Sequence, residues 1–477
     1  MTTARLARLA QNGVTVVGAV LVTVTAILIV SFLAVELGGG IHNPYVGIVA
    51  YVVLPALFLL GLLAIPVGMA LQKRRLRRSG ERLGTDFPVL DFNEPKLRRI
   101  AIVVIALTVI NAVILGSTSF LAVEKMDTVE FCGETCHTVM QPEATAYAFS
   151  PHSRVHCVQC HIGPGASWFV RSKLDGVRQV WHTAWNTFSR PIETPITDLR
   201  PARETCEQCH WPGKHFGDKV RVFARFRSDE ANTPEYTAMV LRTGGGSLDM
   251  GRHGGIHWWH IESDNRIRYL AGDRRRLEIT WVELVTPGGE TRVYTRDAEA
   301  APSTEALTGA RTMDCIDCHN RPTHDFPTPD RAIDWVLETY PELRELPSYK
   351  RESVSRIEAE YASRDEGLEA VRSGVLEYYR AEHPEVAGAR RSLVERGADL
   401  TATVYGRISF PEMRTSWETH PNHIGHDESP GCFRCHDGEM ASVDGEHVIP
   451  VDCETCHVFV LEGDPVRPDL ATLELGG

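Results

Sequence analysis

Three N-terminal transmembrane helices, followed by a mostly α-helical and irregular exterior domain with a small antiparallel β region and a helical spacer, is the architecture that three observations predict. Residues 1–123 hold three long apolar runs. All 12 cysteines fall into six pairs, each ending in Cys-His. A stretch of alternating apolar and polar residues separates the third pair from the fourth.

The apolar runs extend from Val14 to Val35, from Tyr45 to Leu71 and from Ile100 to Val123. Each is long enough, as a helix, to cross a hydrocarbon core about 30 Å thick. Pro55 and Pro66 fall in the second, where neighbouring groups can satisfy the freed carbonyls. The first run exceeds the apolar core of a cleaved signal and continues into FLAVELGGG without an A-x-A site, so it reads as a retained anchor. Nine Lys and Arg lie between runs two and three, and none in ELGGGIHNPY between runs one and two. The positive-inside rule therefore makes the basic loop cytoplasmic and carries everything after the third run to the opposite face. That is the periplasmic side of a bacterial inner membrane. Residues 1–123 carry 11 basic and 5 acidic side chains, whereas the whole chain has a net charge of −12, so the exterior part is strongly acidic. Such a surface argues against nucleic acid as a partner. It suits either a solvated exterior or the steering of positively charged redox partners.

The cysteine pairs are Cys157 and Cys160 in CVQCH, Cys206 and Cys209 in CEQCH, Cys315 and Cys318 in CIDCH, Cys432 and Cys435 in CFRCH, and Cys453 and Cys456 in CETCH. The opening pair, Cys132 and Cys136 in FCGETCH, has one extra intervening residue. A histidine after every pair by chance has odds on the order of 10⁻⁸. Covalent c-type haem explains it: two thiols add to the two vinyl groups and the adjacent imidazole binds the iron. Zinc sites use C-x-x-C but require no His after each pair, and disulfides require none at all. The expectation is six covalent haems, with His137, His161, His210, His319, His436 and His457 as first axial ligands.

A low-spin haem needs a second axial ligand. Position favours His152 before the second motif, His324 after the fourth, His426 before the fifth and His257 in GRHGGIHWWH, read as a Gly-rich strand or turn. His215, His260 and His420 are weaker candidates. Between motifs three and four, KVRVFARF, TAMVLR, RIRYLAG and LEITWVELVT alternate as strands do, and PGG marks a turn. From Arg331 to about Asp399 the spacing turns helical. The expected divisions are a membrane anchor (1–123), a domain with haems one to three (124–216), a β-rich insertion (217–312), haem four with the helical spacer (313–412) and a C-terminal haem pair (413–477).

The run FCGETCHTVMQPEATAYAFSPHSRVHCVQCHIGPG, with VRSKLDGVRQVW and LRPARETCEQCH, resembles the NapC/NirT family of membrane-anchored multihaem quinol dehydrogenases. CIDCHNRPTH and GCFRCHDGE are similar to its long, three-span ImcH-like branch. The resemblance implies oxidation of a quinol, menaquinol above all, at the membrane surface beside the first haem, and electron relay to a periplasmic cytochrome or reductase. It points to Met140 as a ligand of the first haem, to Lys173 in the quinol region, and to His152 as second ligand of a later haem. Gln179 stands where short members often have an acidic residue, so Asp175 is the candidate stand-in; apart from the resemblance, Lys125, Asp127 and Glu130 at the end of the third span are candidate proton acceptors, Asp127 foremost. Two other readings are a passive membrane-tethered electron carrier and a terminal reductase with one open iron near the fourth motif. The extra spans would bind a membrane partner subunit or simply stabilise the anchor.

Overall fold

The computed structural model describes residues 9–37, 49–79, 92–135, 137–163, 165–196, 199–214, 217–262, 265–297 and 303–471. The chain divides into two compact units, Met1–Thr135 and Cys136–Gly477.

In the first unit the apolar runs form helices α1 (Gly13–Leu37), α2 (Leu54–Arg78) and α3 (Pro95–Met126). All three are long and apolar enough to span a membrane. Pro55 lies in the first turn of α2, where its missing N–H costs nothing, and Pro66 is accommodated mid-helix. Helices α1 and α2 pack closely because small residues face each other: a Cβ on Gly18 would sit 2.9 Å from the Gly61 carbonyl, and one on Gly68 would sit 2.5 Å from Thr15 Oγ1. Thr15 Oγ1 also donates to the Ile65 carbonyl at 3.3 Å. Ile29, Leu54 and Phe58 form the buried centre, with Ile114 and Leu115 of α3 against it.

The second unit begins with helix α4 (His137–Ala148), followed by a turn of helix over Cys157–His161 and by α5 (Ala166–Ala184). Strands β1 (Lys219–Phe226) and β2 (Pro234–Leu241) follow, then the short pair β3 (Gly245–Ser247) and β4 (Arg252–Gly254). GIHWWHI is not strand or turn but a helix, α6 (Gly255–Ile261). It begins at a close backbone crossing that only glycine permits: Gly244 and Gly255 both have positive φ, and a Cβ on Gly255 would lie 2.6 Å from the Arg242 carbonyl. Strands β5 (Arg266–Ala271), β6 (Ile279–Val285), β7 (Thr291–Thr295) and β8 (Arg311–Thr312) come next, and β9 (Ala441–Ser442) and β10 (His457–Asp464) come from the C-terminal segment. The sheets run β1-β2-β10 and β8-β5-β6-β7-β9, with every neighbour antiparallel. Both sheets therefore close across the expected divide between 217–312 and 413–477. Val458 pairs with Val240 and Tyr294 with Ser442. The C-terminal motifs are thereby held to the β region by backbone hydrogen bonds.

The helical stretch forms α7 (Pro329–Thr339), α8 (Tyr349–Ile357), α9 (Arg364–Glu382) and α10 (Arg391–Ile408). Thr328 and Ser363 cap α7 and α9 by accepting from the backbone N–H groups of Arg331 and Glu366. Their apolar faces bury Ile333, Leu337, Tyr349, Val375, Tyr379 and Ala398 completely, and Phe226 of β1 joins that core. A buried cation fastens the bundle to the sheet: Lys350 Nζ, 3 % exposed, lies 2.7 Å from Asp334 and donates to the Phe226 carbonyl at 2.6 Å. Burial raises the Asp334 carboxyl to about 6 despite the neighbouring ammonium. Lys350→Ala strands that carboxylate, and its expected cost is about 3–5 kcal/mol. Melting of the full chain followed by far-ultraviolet circular dichroism checks this; an unchanged midpoint would show that the bridge holds nothing.

Candidate functional site

Cys136 and the side chains of Thr135, His137 and Thr138 lie outside the described residues, as does His215. Each of the other five motif histidines faces a second histidine. Ring centroids are 6.0 Å apart for His152 and His210, 6.2 Å for His161 and His324, and 6.4 Å for His257 and His319. They are 5.8 Å apart for His260 and His436, and 6.0 Å for His426 and His457. A metal–imidazole bond is about 2 Å long, so two rings on opposite faces of one iron have centroids about 6 Å apart. The paired residues fit that group.

The hydrogen bonds agree with the spacing. Nδ1 of His260 lies 2.7 Å from the Ile256 carbonyl, that of His436 2.7 Å from the Pro450 carbonyl, and that of His152 3.2 Å from the Pro322 carbonyl. His324 Nδ1 is 3.1 Å from the Glu143 carbonyl and 3.0 Å from its carboxylate. A carbonyl only accepts, so in each ring Nδ1 carries the proton and Nε2 keeps its lone pair for a metal. Burial holds His260 down at about 4 and also lowers His161, His319 and His324, which keeps these imidazoles in the neutral form that ligation requires.

His152, His257, His324 and His426, the expected second ligands, are thus each brought opposite a motif histidine. His260 sits opposite His436, and the signal for it was its spacing. It follows His257 by three residues, and in the helix α6 this sends two neighbouring rings towards two different motifs. Glu143 was not visible from sequence, because its partners Arg321 and His324 are far along the chain.

The second to sixth motifs lie side by side in chain order. Burial raises the Cys160 thiol, and Cys157 and then Cys209 add to the shift. Cys206 hydrogen-bonds Cys315. Burial, reinforced by Cys432, pushes Cys318 up to about 12, and Cys432 likewise acts on Cys456 after burial. The fourth motif stands alone in sequence, yet it touches the third and neighbours the fifth. Residues between the paired cysteines make these junctions. Asp317, 1 % exposed, accepts from Tyr269 at 2.6 Å, Arg276 at 2.8 Å and Arg311 at 2.8 Å. Arg434, inside the fifth motif, donates to the Asp317 carbonyl at 2.6 Å and the Arg276 carbonyl at 2.9 Å.

Helix α5 has a different character. Val170, Leu174, Val177 and Trp181 recur at helical spacing and are all exposed, Leu174 and Val177 by 69 % and 72 %. Trp181 stacks on Trp185 at 3.9 Å. Lys173 Nζ lies 4.9 Å over the Phe169 ring, and Asp175 pairs with Arg178 at 3.8 Å. In the first unit, Asp127 closes the C-terminus of α3, its backbone N–H donating to the Val123 and Glu124 carbonyls. Met140 lies half-buried in α4.

The family model for the N-terminal region of the NapC/NirT cytochromes c matches residues 94–194. The cytochrome c-type protein ImcH of Geobacter sulfurreducens is 39% identical over 463 residues, covering 96% of this chain and 90% of the relative. The chain belongs to the NapC/NirT cytochrome c family. It is an ImcH-like member, a membrane-anchored multihaem cytochrome that works in electron transfer and binds c-type haem covalently. No solved structure matches it. For this NapC/NirT cytochrome, Asp317→Asn takes the buried counter-charge from Arg276 and leaves Arg311 with Asp314 alone, at the junction of two motifs. The expected loss is about 3–5 kcal/mol, read as a lowered melting midpoint of the haem-loaded chain; a midpoint within error of the parent would contradict the junction role.

Proposed function

We propose that the chain carries six c-type haems and oxidises quinol, with menaquinol the leading candidate, at the surface of a bacterial inner membrane. The haem domain lies on the periplasmic side and passes electrons to a periplasmic cytochrome or reductase. Five irons take the pairs His161 and His324, His210 and His152, His319 and His257, His436 and His260, and His457 and His426. Bound haem supplies one-electron acceptors, and the order of motif contacts supports a relay from the second motif to the sixth. What supports quinol rather than a soluble donor is α5. Its exposed apolar stripe with flanking Arg and Lys is the pattern of a helix lying in the lipid headgroup region. A quinol dissolved in lipid would meet Lys173 and Asp175 there. Lys173 would bind a quinol oxygen, while Asp175 would take up a released proton. The terminal-reductase reading is disfavoured, because the side of the fourth motif that would have to stay open carries the ring of His257.

In liposomes under anaerobic conditions, a menaquinol analogue is expected to reduce the haems rapidly, and Lys173→Ala is expected to slow this by at least about tenfold, or about 1.4 kcal/mol of transition-state stabilisation. Absorption bands report the rate. If quinol leaves the haems oxidised while a soluble reductant fills them all, the tethered-carrier reading replaces this one.

A further inference from the structure

The pair of His161 and His324 has a charged group behind its second ring. Nδ1 of His152, His260 and His436 lies against a backbone carbonyl, a neutral acceptor. Nδ1 of His324 lies 3.1 Å from the Glu143 carbonyl and also 3.0 Å from Glu143 Oε2, so a carboxylate accepts from it as well. A third residue closes the arrangement. Arg321 Nη2 lies 3.3 Å from the same Oε2, and Arg321 Nε donates to the His324 carbonyl at 2.6 Å. The guanidinium itself rests on Phe326, its Cζ 5.2 Å from the ring centroid. The side chains of Arg321 and Glu143 are only 7 % and 12 % exposed, so water screens their charges weakly. Burial acts most strongly on the ionisation of both His161 and His324, and the Glu143 charge opposes it at both rings. Burial also holds the neighbouring His420 down at about 4, so that imidazole adds no charge.

We propose that Glu143 is a positioning residue that lowers the reduction potential of the second motif's iron through His324. This rests on the proposed pairing of His161 with His324 as axial ligands. An imidazole whose N–H meets a carboxylate is more basic at the nitrogen it presents to a metal than one whose N–H meets a carbonyl. A stronger donor favours the ferric over the ferrous state, so the carboxylate lowers the potential. Arg321 works in the opposite direction, because a buried cation favours the state with one more electron. Geometry decides between them. Oε2 is closer to Nδ1 than to the guanidinium, and the guanidinium touches His324 at its backbone rather than its ring. The second motif's centre is therefore held lower than it would be with a neutral side chain at position 143. In a relay that runs onward from the second motif, a low potential there makes transfer to the third more favourable.

The test uses the full haem-loaded chain in detergent, as the parent and as Glu143→Gln, Arg321→Gln and His324→Ala variants. Haem content is measured by pyridine haemochrome and midpoint potentials by spectroelectrochemical titration. Axial ligation is followed by electron paramagnetic resonance and by carbon monoxide binding to the reduced protein. Glutamine matches glutamate in shape, and its amide oxygen can still accept from Nδ1. Glu143→Gln is therefore expected to keep the parent's haem content and to bind no more carbon monoxide than the parent. One midpoint is expected to rise and one low-spin signal to move. Arg321→Gln breaks the same ion pair but is expected to shift one midpoint downwards; opposite signs from the two halves of one pair separate a charge effect from mere loosening. The proposal is overturned if Glu143→Gln leaves every midpoint within error of the parent or lowers one, or if Arg321→Gln fails to lower one. Should Glu143→Gln lose haem, Arg321→Gln decides by the same criterion. His324→Ala tests the pairing on its own: it is expected to open one iron per chain to carbon monoxide, and added imidazole to close it again. If it opens none, the pairing fails, and the role of Glu143 with it.

Discussion

The facing of two imidazoles across a gap that one iron would fill is the constraint around which the second unit is organised. The first ring of each pair comes with the cysteine motif, where covalent attachment of a haem would fix it. The second arrives from elsewhere in the chain, at a centroid separation near 6 Å. His324 reaches His161 from beyond the β region, and His260 reaches His436 across the whole helical stretch. These long-range pairings explain why C-terminal strands are recruited into sheets that begin far upstream, since β9 and β10 hold the last two motifs near α6 and β2.

Stability outside the haem region comes from more ordinary sources. The helices α7 to α10 form their own apolar core, and the buried Lys350 fixes that core to β1 through Asp334 and a backbone carbonyl. At the motif junctions the polar groups are buried but satisfied, as Asp317 illustrates with its tyrosine and two arginines. A buried charge with several fixed partners resists small displacements. It therefore suits a place where neighbouring redox centres must keep a constant separation.

Much of this was legible in the sequence because the signals are local. The spans announce themselves by length and apolarity, and the motifs by adjacent Cys and His. His152, His324 and His426 stand out because they lie near motifs, though near a motif is not the same as opposite it: His152 precedes the second motif and faces His210 of the third. What stayed hidden is non-local. The pairing of His260 depended on GIHWWHI being helical, which a glycine crossing with Gly244 decides. The strand HVFVLEGD follows directly on the last cysteine pair and was masked by it. Glu143 and Asp317 look like ordinary acidic residues until their partners fold onto them.

The measurement that bears most directly on this account is low-temperature electron paramagnetic resonance of the fully oxidised, haem-loaded chain, with the signals integrated against the haem content. Five facing histidine pairs, at separations from 5.8 to 6.4 Å, predict that at least five irons per chain are low-spin. A high-spin signal amounting to more than one iron per chain would contradict the paired-imidazole architecture.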